Sequence, residues 1–331
     1  MSKELWIKDL IDGSSVKLCG FISNVTQGVT TPNTKTNQPG KKYLSITLSD
    51  KTGSIEAKKW DASKEDIDFF TVGRYVVVMG EVNLYRTSLQ LKIVSFEQLP
   101  EEQIEREDYF MSAPESLESM EEDLKRFFQM IQDPECKAFL DYFYRRDAKI
   151  YEKFMMHPAA VRNHHEYYHG LIYHTLCCAR ICEMCAELYP SVDKDLLLTG
   201  ALLHDIGKME ELNPVDNPGY SDQGKLLGHI SMMGNWIHEA KEKLVAEGKI
   251  APDSEVPLLL EHMILSHHGK HEFGSPVLPM TREAILLNMA DDMDAKMNII
   301  DKALATIQPG KFTGKIFPLD ERILYRSKRE K

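Results

Sequence analysis

The chain has 331 residues, 43% of them hydrophobic, and a formal net charge of −11. That length suits two domains with real cores, and the negative charge argues against nonspecific wrapping of duplex DNA. No apolar run approaches the ~20 residues needed to cross a membrane, and the start Met1-Ser2-Lys3-Glu4 has no signal-peptide pattern. The expectation is a cytoplasmic protein with no membrane partner.

Residues 14–98 read as short strands bounded by turns. Segments 16–22 and 43–48 alternate apolar and polar residues, the turn Ser49-Asp50-Lys51-Thr52-Gly53 leads into 54–60, and 75–82 and 89–94 follow. Five such strands predict a small barrel. Residues 30–42, polar and rich in turn formers, predict a mobile loop between the first two strands. Lys35, Lys41 and Lys42 on that loop are candidates to meet phosphates, and Trp60, Phe21 or Tyr85 to stack on bases. The competing reading is a solvated loop and core aromatics. Residues 1–98 hold 13 Lys and Arg against 11 Asp and Glu, so a nucleic-acid partner is allowed here despite the acidic whole. The stretch 99–123 is acidic, contains Pro100 and Pro114, and reads as a linker. Helical spacing begins at Leu117, with Phe127, Phe128 and Ile131 on one face and Phe139, Leu140 and Phe143 on a following helix. Linker and lead-in helices together span 99–149.

Beyond residue 150 come His174, the pair His204-Asp205, His229, the pair His267-His268, and Asp291. All are metal-ligand types, and several sit in apolar helical patterns where a polar group needs a partner. A lone histidine is more often a hydrogen-bonded helix residue; five elements in order, each with an apolar flank, favour a metal site. Imidazoles with a few carboxylates suit manganese, iron, cobalt or zinc better than magnesium. Seven ligands exceed what one tetrahedral ion uses, so two divalent transition-metal ions sharing a carboxylate are expected. Ions about 3.5–4 Å apart are a device for hydrolysing phosphate esters. Cys177, Cys178, Cys182 and Cys185 follow His174 in a helical pattern. A lone C-x-x-C lacks the second pair of a zinc site, so they read as buried thiols. Lys311, Lys315, Arg322, Arg326, Lys328, Arg329 and Lys331 make the end of the chain basic.

The order His, His-Asp, His, His-His, Asp resembles the HD-domain metal-dependent phosphohydrolases, over about residues 150–305. The segment His164-His165-Glu166-Tyr167-Tyr168-His169-Gly170-Leu171-Ile172-Tyr173-His174-Thr175 and the run Ser266-His267-His268-Gly269-Lys270 resemble the YhaM-type 3′–5′ exoribonucleases, which pair an N-terminal OB-fold with an HD domain. Leu48-x-Asp50-x-Thr52-Gly53-x-Ile55 is similar to OB-folds that bind nucleic acid. The resemblance implies an α+β multidomain chain: a five-stranded OB-type β-barrel (1–98), then an all-α HD-domain helical bundle (150–331). It implies that His174, His204, Asp205 and Asp291 hold one ion. Asp205 then bridges to a second ion completed by His229 and His267, with His268 a ligand or a phosphate contact. Manganese comes first, with iron, cobalt and zinc open. Asp205, Lys208 and His268 are the catalytic candidates. Lys208 follows Asp205 by three residues and so faces the same side; the alternative is a helix C-terminal lysine favoured by the dipole. His164, His165 and Asp294 are second-tier, Asp294 orienting a histidine or serving as a salt-bridge partner. His169 stands where the family more often has glycine.

The implied function is a 3′–5′ exonuclease on single-stranded RNA, with single-stranded DNA a further substrate, releasing nucleoside 5′-monophosphates. A phosphodiesterase or nucleotidase for small or cyclic nucleotides is the alternative. A third reading is a binding or assembly protein that keeps the metal site as a scaffold. Metal identity, sugar preference and oligomeric state, a homo-oligomer included, stay open.

Overall fold

The computed structural model describes residues 3–31, 40–86, 88–145, 147–161 and 165–329. It divides into two compact units, Met1–Met111 and Ser112–Lys331.

In the first unit, β1 (Ser15–Val29), β2 (Lys42–Asp50), β3 (Gly53–Trp60), β4 (Tyr75–Tyr85) and β5 (Ser88–Gln98) close a barrel in the order β1-β2-β3-β5-β4. Helix α1 (Lys64–Phe69) connects β3 to β4 and starts with a reciprocal cap between Ser63 and Asp66. Alternation makes the barrel. Leu44, Ile46 and Leu48 of β2 point inward to join Leu18, Ile22, Val76, Val78 and Leu91, while their neighbours face out. The pairing β3–β5 is parallel, and the other neighbours are antiparallel. The strand pattern predicted a small five-stranded barrel, and the OB-type architecture is the one that the resemblance implied.

The acidic stretch after the barrel differs from a free linker. Leu99 and Tyr109 are buried with Phe21, Tyr75 and Val77, and Ile104 and Phe110 pack against them. Apolar residues spaced through the acidic run fasten 99–111 to the barrel, so the unit extends past residue 98 to Met111. The same cluster removes Phe21 as a stacking candidate: its ring is buried against Tyr75 and Phe110.

The second unit is helical: α2 (Leu117–Met130), α3 (Pro134–Tyr144), α4 (Ala148–Met156), α5 (Gly170–Leu188), α6 (Lys194–Leu203), α7 (Lys208–Glu211), α8 (Asp222–Ala246), α9 (Val256–Ser266) and α10 (Arg282–Ala305). Every residue of α6 from Leu196 to Leu203 is buried, which makes it the central helix. Asp193 caps its start through the Leu196 amide. Helices α5, α9, α10 and α3 pack around it. Phe127, Ile131, Phe139, Leu140 and Phe143 join this core, as their spacing predicted. Of the four clustered cysteines, Cys178 and Cys182 are buried and Cys177 and Cys185 half-buried, all as free thiols. Among the described residues no helix is long and apolar enough to cross a membrane.

Candidate metal centre and nucleic-acid surface

The predicted ligands converge in the middle of the helical unit. His174 lies on the second turn of α5. His204 ends α6, and Asp205 sits in the turn before α7. His229 follows the break in α8, His267 and His268 follow α9, and Asp291 is on α10. Two glycines make this approach possible. A Cβ on Gly207 would lie 2.7 Å from the His229 carbonyl oxygen, so only glycine lets the His-Asp turn meet the His229 segment. Gly228 has φ +72° and swings the chain into His229.

The ring nitrogens are sorted by their partners. Nδ1 of His204 donates to the Ala201 carbonyl at 2.8 Å, of His267 to Ile264 at 2.6 Å, and of His268 to Phe273 at 2.8 Å. Nδ1 of His174 donates to Asp294 at 2.6 Å. Nδ1 of His229 sits 2.8 Å from the Glu211 carboxylate. With Nδ1 carrying the proton, each Nε2 presents a lone pair. These lone pairs face one another and the carboxylates. His174 Nε2 lies 3.4 Å from His204 Nε2. Asp205 Oδ2 is 3.3 Å from each of them, and Asp291 Oδ1 is 3.2 Å from His174 Nε2. The other Asp205 oxygen, Oδ1, is 3.4 Å from His229 Nε2 and 3.6 Å from His267 Nε2, and these three buried atoms make no hydrogen bond.

Lone pairs pointed at lone pairs in a buried site are unfavourable unless a cation lies among them. The donor set therefore fits a divalent metal, held by the Nε2 atoms and carboxylates around Asp205.

Partners one layer out fix these orientations. Asp294 Oδ2 accepts from both His174 Nδ1 and His165 Nε2, the latter at 2.7 Å, and His165 Nδ1 pairs with the Tyr167 hydroxyl at 2.6 Å. Burial alone would raise the Asp294 carboxyl; the bonds from His165 and His174 hold it well below the usual carboxylate range. Lys208 Nζ lies 2.6 Å from Asp205 Oδ2. Burial works against its charge, but Asp205 and Asp291 outweigh this and hold the ammonium pKa above its ordinary value. Lys208 is the first residue of the one-turn helix α7, and its ammonium is turned to the Asp205 carboxylate. His169 has φ +63° and its Nδ1 donates to the Met155 carbonyl at 2.6 Å. The left-handed backbone gives the physical reason for a glycine preference there, and the buried hydrogen bond is what the histidine adds. His164 lies outside the described residues.

Glu211 and Asn288, which the sequence motifs do not mark, also reach the cluster, as does the buried thiol of Cys178. Glu211 follows Lys208 by the same three-residue step that links Lys208 to Asp205. Cys178 Sγ is 3.8 Å from His174 Nε2, one turn along α5. Asn288 donates to the His267 carbonyl at 2.7 Å. A cavity of about 1140 Å³ opens on the cluster, lined by Lys208, His229, His268 and Asp291 among others.

On the barrel, Tyr43 and Trp60 are opposite each other on β2 and β3, their rings 5.0 Å apart, and Lys58 Nζ is 5.3 Å from the Tyr43 ring centre. Trp60 and Tyr85 are exposed. Lys41 pairs with Asp61 at 2.7 Å, and Lys42 is exposed. Lys35 lies outside the described residues. Glu56 joins the outward face, bonded to Ser45, Lys58 and Gln90. At the basic end, Arg326 donates to the Leu304 and Ile307 carbonyls and Lys315 pairs with Glu321. Lys331 lies outside the described residues.

Two family models match: an HD domain over residues 171–296 and an OB-fold nucleic acid binding domain over residues 16–99. The chain is 39% identical over 315 residues to the 3′-5′ exoribonuclease YhaM of a Geobacillus species, covering 95% of this chain and 92% of that one. It is 40% identical to the protein of the same name from Halalkalibacterium halodurans, covering 87% of each. With the Bacillus subtilis protein of that name the identity is 38%, over 87% of this chain and 89% of the other. The chain belongs to the family of the YhaM 3′-5′ exoribonucleases.

Proposed function

We propose that the chain is a metal-dependent 3′–5′ exoribonuclease that releases nucleoside 5′-monophosphates from single-stranded RNA, with single-stranded DNA as a second substrate. The observation that carries this reading is the division of Asp205. One oxygen faces His174 and His204, with Asp291 beside them, and the other faces His229 and His267. That pattern supports two ions with Asp205 between them, manganese first and iron, cobalt or zinc open. Such ions supply a low-pKa water and neutralise charge on the phosphoryl oxygens.

The protein's own groups do the rest. Asp205 is kept ionised at neutral pH: burial would raise its carboxyl, and Lys208 with the surrounding histidines brings it well below the usual range. Lys208 lines the cavity and places a cation where charge develops on the phosphorus oxygens or the departing 3′-oxygen. His268 is only half-buried, lines the same cavity and keeps its Nε2 turned from its backbone partner. It serves as the outer ligand of the His229–His267 half or as a phosphate contact. His165 and Asp294 orient His174. The Trp60–Tyr43 face and Lys41–Lys42 of the barrel hold the single strand, and Lys35 belongs to the same loop in sequence.

The test is digestion of end-labelled RNA and DNA oligomers with Mn²⁺, beside cyclic dinucleotides. Stepwise shortening from the 3′ end with mononucleotide release supports the reading. Turnover confined to small or cyclic nucleotides replaces it with the phosphodiesterase alternative.

A further inference from the structure

Two large aromatic side chains stand exposed on the cavity that opens on the candidate metal centre. Tyr220 is 47% exposed and Phe273 is 56% exposed, and both line the space shared by Lys208, His229 and His268. Neither projects from a loose coil. Tyr220 forms an antiparallel bridge with Leu212 just past α7, and Ser221 next to it caps α8. Phe273 closes a 3₁₀ turn, and its carbonyl accepts the His268 Nδ1 hydrogen bond at 2.8 Å. Lys270 lies 5.0 Å from its ring centre. The backbone that carries Phe273 is therefore one hydrogen bond from a candidate ligand.

The cavity, about 1140 Å³, exceeds the ~300–1,000 Å³ usual for one small ligand. It has room for more than a reacting phosphate. On the exoribonuclease reading the scissile phosphate meets the candidate ligands His229, His268 and Asp291 that line this cavity, which puts the groups on either side of that phosphate along its walls. Aromatic faces held out of the core suit flat, unpaired bases, and stacking is indifferent to base identity. We propose that Tyr220 and Phe273 form a stacking subsite for the nucleobases flanking the scissile phosphate. The subsite makes the centre selective for unpaired 3′ ends without selecting a sequence, and it deepens the exoribonuclease reading on which it rests.

The test compares full-length protein and variants in binding short RNA oligomers that end in two intact or two abasic nucleotides. The terminal linkages are phosphorothioates, to stop turnover. Interactions elsewhere on the strand cancel in the ratio of the two affinities. The native protein is expected to prefer intact ends by roughly 5- to 150-fold per stacked base. The double variant Tyr220→Leu/Phe273→Leu loses that preference, and Tyr220→Phe/Phe273→Trp keeps it. A native protein indifferent to the abasic ends, or a preference that survives in the leucine variant, overturns the subsite. Hydrolysis of unmodified RNA is measured separately. A protein that cuts no RNA yet shows the aromatic-dependent preference loses the activity reading and keeps the subsite.

Discussion

The helical unit hides its chemistry, and the barrel displays its own. In the bundle, His174, His204, Asp205 and His267 are sealed from solvent. In the barrel, Trp60, Tyr85 and Lys42 are exposed, and Lys41 shares its charge with Asp61. A buried polar cluster must be satisfied from within at several kcal/mol per unmet group, so its members act as a unit. An exposed face is solvated whether or not a ligand is present, so each of its residues acts nearly alone. Steep, conjunctive losses are expected in the bundle and shallow, additive ones in the barrel.

The largest effect is expected at Asp205, whose two carboxylate oxygens face different pairs of imidazoles. Asp205→Asn keeps the shape and still offers Lys208 an acceptor, so the fold survives. Hydrolysis should fall to background, and metal analysis should show loss of at least one ion per chain. Full activity would break the contrast at once. Next comes Asp294→Asn, one layer out. Outer-layer partners of this kind are worth about 10- to 100-fold in metal affinity, so activity should fall at low Mn²⁺ and recover when the metal is raised. On the barrel, Trp60→Ala or Tyr43→Ala should weaken single-strand binding by roughly 1–3 kcal/mol for each base that no longer stacks. Hydrolysis of a small ester such as bis-p-nitrophenyl phosphate should be the more sensitive to the bundle changes. The smallest change belongs to Lys41→Ala/Lys42→Ala. The slope of log affinity against log salt should flatten by about 0.7 for each phosphate that these lysines neutralise in the native protein. An unchanged slope would move the strand's electrostatic anchor to the basic residues after Lys311.

The same contrast explains what was legible in the sequence. Candidate ligands such as His204 and Asp205 follow directly on the buried apolar run of α6, and it is their type and order together, not any single histidine, that point to a metal centre in the sequence. The barrel strands declare themselves by alternation. The acidic run 99–111 misleads because its charges outnumber Leu99, Ile104, Tyr109 and Phe110, yet those few apolar residues decide where it packs. Glu211 and Tyr43 were readable in principle. The two-residue turn at Lys51-Thr52 joins Asp50 to its partner Gly53, and that register sets Tyr43 opposite Trp60. At His169 the glycine that the family more often has hints at the left-handed φ, whereas the hydrogen bond that the histidine makes to the Met155 carbonyl depends on the surrounding packing.

The central claim is a pair of ions joined through Asp205. Electron paramagnetic resonance on metal-stripped protein titrated with Mn²⁺, read beside release of mononucleotides from RNA, tests it most directly. Full activity is expected to coincide with the spectrum of an exchange-coupled manganese pair at two ions per chain, and Asp205→Asn is expected to lack this spectrum. Full activity with one ion per chain and only an isolated-manganese signal would contradict it.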